Sequence, residues 1–123
     1  MDSRRRDAPA TIGRGAEDRA LRFLEHAGLG LLERNFRCRS GEIDLIMRDG
    51  TTLVFIEVRM RRQSRFGSAA ESINASKLRR IRSAAALWLR ITHCCDPVRL
   101  DVITLDGEDC DTARIAWIRG VDT

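Results

Sequence analysis

The stretch from Gly41 to Arg61, GEIDLIMRDGTTLVFIEVRMR, decides the fold of this chain. Two apolar runs rich in β-branched residues flank Asp49-Gly50, a dipeptide that tolerates the positive φ values of a tight type I′ turn. The stretch therefore predicts a β-hairpin. Its second run, Leu53 to Val58, is apolar on both faces and predicts a central strand. Glu42, Asp44, Glu57 and Arg59 nevertheless lie inside these two strands. A buried carboxylate without a partner is strongly disfavoured or forced to protonate, so such residues point to a paired charge or a metal.

With Asp49-Gly50 as the loop, Asp44 faces Phe55 and Glu42 faces Glu57. Alternation of side chains then projects Glu42, Asp44, Glu57 and Arg59 from one face. Asp44 and Glu57 become diagonal neighbours, roughly 7–8 Å apart at the backbone, a span that one cation can bridge.

The rest of the chain is consistent with a single domain around this hairpin. It has 123 residues, 43% hydrophobic and 33% charged, which suits a soluble globular fold and excludes a disordered chain. No apolar run approaches the ~20 residues that cross a bilayer, so no membrane partner is expected. The start, MDSRRRDAPA, is basic and has no apolar stretch after it, which excludes a secretory signal. Residues 1–12 read as a disordered basic tail and 13–123 as one domain. The cysteines Cys38, Cys94, Cys95 and Cys110 have no C-x-x-C spacing. His93-Cys94-Cys95 is a poor tetrahedral set, and reduced thiols in a cytoplasm are the simpler account. The net charge of +4 mildly favours a polyanionic partner. The basic side chains are arginines apart from Lys77.

Before the hairpin, Ala16 to Ala27 predicts a helix that ends at Gly28, with Ala20, Leu21, Phe23, Leu24 and Ala27 as its apolar stripe. Glu17 falls on the stripe side, either as a first-turn acid facing the helix dipole or as part of a site. Leu29 to Arg37 predicts a short strand or extended segment, interrupted near Asn35. After the hairpin, Arg61, Arg62 and Arg65 sit in a basic loop with Phe66, which either stacks on a base or plugs the core. A second helix is predicted from about Asn74 to Ile91, with Leu78, Ile81, Ala85, Trp88 and Thr92 facing the core. Arg79 and Arg80 lie on its other sides, as a solvated face or as phosphate contacts. Val98 to Leu105 predicts another strand, and Ile115 to Ile118 a last strand or turn. The order α-β-β-β-α-β implies an α/β layer with a mixed sheet flanked by helices.

Metal-dependent phosphodiester hydrolysis needs carboxylates that hold a hard cation, a cation that polarises the phosphate and acidifies water, and a nearby positive side chain. Asp44, Glu57 and Arg59 have those types and that spacing. GRGAEDRALRFL, RNFRCRSGEIDLIMRDG, LVFIEVRMR, FGSAAESINASKLRRI and RLDVI together resemble the YraN family of small bacterial proteins over residues 13 to 105. The resemblance implies a restriction-endonuclease-like fold and kinship with PD-(D/E)xK nucleases, especially archaeal Holliday-junction resolvases. It implies that Glu17 is the first-helix acid, Asp44 the first strand acid and Glu57 the acid of the E-x-K half-motif. Arg59 stands where most such nucleases have lysine. Arginine does not deprotonate and its planar fork is not equivalent to an ammonium. Lys77, at the start of the second helix, either lends that ammonium or is a surface residue.

These residues predict a cytoplasmic Mg²⁺- or Mn²⁺-dependent endonuclease of branched or structured nucleic acid, DNA ahead of RNA. Glu17, Asp44, Glu57, Arg59 and Lys77 are its expected catalytic set. Asp44 and Glu57, with Glu42 as a third candidate, would be its metal ligands. Arg61, Arg62, Arg65, Arg79 and Arg80 would hold the nucleic acid, and a homodimer is compatible with the sequence. The rival readings are a binding module of the same fold that cannot cut, and a structural adaptor.

Overall fold

A computed structural model describes residues 8–62 and 74–121, with side chains from Gly15 onward. The elements are α1 (Ala8–His26), β1 (Gly30–Cys38), β2 (Gly41–Asp49), β3 (Thr52–Arg61), α2 (Ala75–Thr92), β4 (Val98–Asp106) and β5 (Arg114–Ile118). The strands form one sheet in the order β1-β2-β3-β4-β5. β3 and β4 run parallel and the other neighbours antiparallel. A parallel pair needs a long crossover, and α2 lies within it. The mixed α/β architecture is as the sequence predicts, with β5 added as a true strand.

The first helix starts earlier than its apolar stripe suggested. It begins at Ala8, so residues 8–12, expected in the tail, are helical, and residues 1–7 lie outside the description. From Gly15 onward, Ala16, Ala20 and Leu24 are its buried positions. Phe23, expected in the stripe, is exposed and meets the Trp117 ring edge-on at 6.3 Å.

β3 is central, as expected: Leu53 through Glu57 are all buried. Its two faces feed separate cores. Leu45, Met47, Val54, Ile56, Ile103 and Leu105 pack on the α1 side. Ile43, Ile46, Leu53, Phe55 and Leu100 pack on the α2 side against Ile81, Ala84 and Trp88. Asn74 caps α2, its Oδ1 accepting from the Lys77 N–H at 2.8 Å. Thr92, expected in the core, is instead exposed and donates to the Trp88 carbonyl.

The hairpin turn differs by one step from its sequence reading. Asp49 pairs with Thr52, so Gly50-Thr51 forms the loop. Gly50 has φ 63° and Thr51 is not among the positive-φ residues. This is the pattern of a II′ turn, with glycine first, rather than I′. The change preserves parity but shifts the register by two, which alters who faces whom at the far end.

Candidate functional site

The far end of the hairpin is where its hydrogen-bonded ladder stops. The last pair in the β2–β3 register is Leu45 with Ile56. Continued by one position, that register sets Asp44 opposite Glu57, and the two carboxyls interact. The sequence had placed them on a diagonal, and the shifted turn is the reason for the difference. Asp44 Oδ2 accepts a hydrogen bond from the Val58 N–H at 2.7 Å, supplying an acceptor that the interrupted ladder no longer provides.

Alternation also breaks here. Ile43 packs in the α2-side core, yet Leu45, two residues on, packs in the α1-side core. Asp44 sits at the break and therefore reaches both sides of the sheet. It lines a cleft of about 530 Å³ on the α2 side and another of about 520 Å³ on the α1 side. Glu42, Glu57, Arg59 and Lys77 join it in the first cleft. Glu17, Arg61 and Arg62 join it in the second.

Asp44 is 9% exposed and Glu57 7%. Burial, and then the neighbouring Glu57 charge, push the Asp44 carboxyl from its ordinary 3.8 up to about 7, against the opposing pull of the Val58 N–H. Arg59 Nη1 lies 3.4 Å from Glu57 Oε2. Glu17 is also raised, first by burial and then by Asp44, although Arg34 stands 3.5 Å away. Glu42 is exposed and pairs with Arg37 at 3.4 Å. Among the described residues no group of three or more His, Cys, Asp or Glu side chains could hold a metal ion. Two carboxylates remain, and Mg²⁺ sites commonly use one or two, with water and substrate phosphate completing the shell.

The expected basic residues divide. Arg80 lines the α2-side cleft, whereas Arg79 is exposed and lines neither. Arg61 and Arg62 belong to the α1-side cleft, where Arg62 Nη1 donates to the Glu108 carbonyl at 2.9 Å. Arg65 and Phe66 lie outside the described residues. Among the described residues, no helix is long and apolar enough to cross a membrane.

A family model described as "Uncharacterised protein family UPF0102" matches residues 16–105. The chain belongs to the UPF0102 family. The resemblance drawn from the sequence holds at that level. A UPF0102 protein of Janthinobacterium sp. (strain Marseille) is 49% identical over 116 residues, spanning 94% of this chain and 90% of the relative. One of Alkalilimnicola ehrlichii is 50% identical over 125 residues, spanning 97% and 94%. One of Frankia alni is 44% identical over 121 residues, spanning 98% of each. The UPF0102 match covers both clefts, from Ala16 on α1 to Leu105 in β4.

Sequence reasoning missed several residues of this UPF0102 site. Arg34 bridges Glu17 and Asp18, at 3.5 and 2.7 Å, and its Nε is buried with no partner among the described residues. Asn35 has φ 53° and hydrogen-bonds Glu17. Arg37 near the end of β1, with Arg39 and Ser40 of the β1–β2 turn, forms one wall of the α2-side cleft. Gly41 admits α2: a Cβ there would stand 2.8 Å from the Arg80 carbonyl oxygen. The available signal was the string RNFRCRSG, which places arginines beside a glycine directly before the acidic strand.

Asp101 supplies a contrast. It is fully buried, and Arg99, the Trp117 Nε1–H and the Gly120 N–H all donate to its carboxylate. Every oxygen is satisfied, so this acid holds β4, β5 and the chain after it together. Asp44 has one backbone donor and a like-charged neighbour. The two acids differ in environment, not in residue type.

Proposed function

We propose that this UPF0102 protein is a metal-dependent endonuclease that acts on branched or otherwise structured nucleic acid, DNA ahead of RNA, with a restriction-endonuclease-like fold, working in the cytoplasm. The observation that carries this reading is the pair of buried carboxylates, Asp44 and Glu57, facing one another in a cleft rimmed by arginines. Two acids that repel one another are held together there by the fold, in a protein that could have used apolar residues instead. A divalent cation relieves that repulsion, and a phosphate suits the surrounding positive charge.

Asp44 and Glu57 would hold Mg²⁺ or Mn²⁺, which on binding supplies Lewis-acid polarisation of the phosphate and a more acidic water. The chain's own groups do the rest. Arg59 presents a permanent charge to the non-bridging phosphate oxygens. Lys77, at the first turn of α2, brings an ammonium group to the same cleft. Glu17 approaches Asp44 from the opposite face and is positioned by Arg34 and Asn35.

A second reading is favoured by one contact. Arg59 stands 3.4 Å from Glu57, in the position where a catalytic lysine is expected from the resemblance. A site neutralised this way binds phosphate without cutting. The deciding experiment incubates labelled duplex, flap, four-way-junction and single-stranded substrates with Mg²⁺, Mn²⁺ or EDTA. Metal-dependent cleavage that Asp44→Asn and Glu57→Gln abolish is the expected result. Binding without cleavage under every condition establishes the non-catalytic module instead.

A further inference from the structure

Both clefts share Asp44 and Val58, yet they open on opposite faces of the sheet. The backbone ladder between β2 and β3 ends just short of these residues, and there the Asp44 carboxylate, accepting from the Val58 N–H, joins the two strands instead. Each cleft carries its own positive rim. On the α2 side the rim is Arg37, Arg39, Lys77 and Arg80. Of these, Arg39, Lys77 and Arg80 have no acid within ion-pair distance among the described residues. On the α1 side the rim is Arg61 and Arg62, with Ala16 and Met60 as an apolar wall.

We infer that the two clefts form one path, and that the ligand is an unpaired nucleic-acid strand crossing the end of the sheet from one face to the other. The inference rests on the nuclease reading above and deepens it. Each cleft has the size that encloses one drug-sized ligand, ~300–1,000 Å³, and so takes roughly one nucleotide rather than a duplex. A duplex, with a persistence length of ~50 nm, is too stiff to turn around the end of a sheet from one face to the other. An unpaired strand can turn around the end, with one phosphate at Asp44 and Glu57 and its neighbours on either rim. Positive grooves that track one backbone, with apolar walls for the bases, are the usual means of holding single strands. The β1–β2 turn thereby becomes a binding element, and Gly41 sets its distance from α2. Branched substrates are recognised, on this view, through the unpaired segment at the branch.

The test is fluorescence anisotropy with labelled oligo(dT), the matching RNA strand and a blunt duplex, in EDTA across a salt series. The proteins are wild type, Arg37→Ala/Arg39→Ala, Arg61→Ala/Arg62→Ala and the four-fold variant. Arg48→Ala/Arg90→Ala, away from both clefts, is the control for simple charge loss, and melting temperatures check folding. Each cleft pair should weaken single-strand binding several-fold and flatten the salt slope by about 1.4, at ~0.7 per contact for single strands. The four-fold variant should lose both increments, and the duplex should bind more weakly than the strand. Sensitivity to one cleft pair only, an equal loss in the control, or tighter duplex binding overturns the two-sided path while leaving the nuclease reading intact. If cleavage disappears in Asp44→Asn but its two-sided pattern of binding persists, the path stands. If no nucleic acid binds at all, both fall.

Discussion

Asp44 Oδ2 accepts a 2.7 Å hydrogen bond from the Val58 amide one residue beyond Glu57, where the β2–β3 ladder has ended. A carboxylate thus completes the backbone at the place where two strands part. The same bond holds the acid buried and close to a second acid. Structural and functional demands on Asp44 can therefore be separated by a substitution that keeps the acceptor and removes the charge.

Asp44→Asn should change how stability depends on pH. The folded Asp44 carboxyl titrates at about 7, above its ordinary 3.8. The folded state then holds the proton more tightly than the unfolded chain, so the stabilisation is full below pH ~4 and lost as pH rises to ~7. In metal-free buffer, wild type should lose stability relative to Asp44→Asn across that window, on the order of 1–4 kcal/mol at ~1.4 kcal/mol per unit. Thermal melts of both proteins from pH 4 to 8 measure it. Parallel curves would show that Asp44 is not strained by its neighbours.

Glu57→Gln should leave the metal-free melting temperature at pH 8 unchanged or higher, since it removes the charge that opposes Asp44. A loss of roughly 3–5 kcal/mol would mean instead that Glu57 and Arg59 form a structural ion pair. Calorimetry with Mn²⁺ supplies the companion measurement. Wild type should bind and Asp44→Asn, Glu57→Gln should not.

Asp101→Asn should behave oppositely. Its carboxylate is fully buried and accepts from Arg99, Trp117 and Gly120. Removing the charge leaves the half-buried Arg99 with Asp49, at 3.0 Å, as its one anionic partner among the described residues, and should destabilise the fold by roughly 3 kcal/mol or more, with Mn²⁺ binding per folded molecule unchanged. Denaturant unfolding compared with calorimetry distinguishes this from a site defect.

Gly41→Ala tests whether α2 is seated directly on β2. The added methyl would stand 2.8 Å from the Arg80 carbonyl oxygen, a backbone atom that cannot swing away. The helix must shift, at a cost of about 1–3 kcal/mol. Single-strand binding should weaken through the α2-side cleft while sensitivity to Arg61→Ala/Arg62→Ala is retained. Unchanged stability and binding would show that the two elements are loosely coupled.

The sequence by itself determined the hairpin, the central position of β3, the second helix and the α/β order, because alternation, helical spacing and caps are local properties of the chain. It also picked out Asp44 and Glu57, since charge inside a doubly apolar strand is visible without a structure. Only the tertiary structure decided the register that brings the two carboxyls together. A one-step difference in the turn, Gly50-Thr51 for Asp49-Gly50, moves every cross-strand pair by two positions. Nor could periodicity reveal the break at Asp44 that opens it to both faces, because the break arises where Ile43 and Leu45 choose different cores. The roles of Arg34, Asn35, Arg37 and Arg39 were hidden for the same reason. Their residue types are ordinary on an edge strand, and they acquire meaning from α1 and α2, which are distant in sequence and adjacent only after folding.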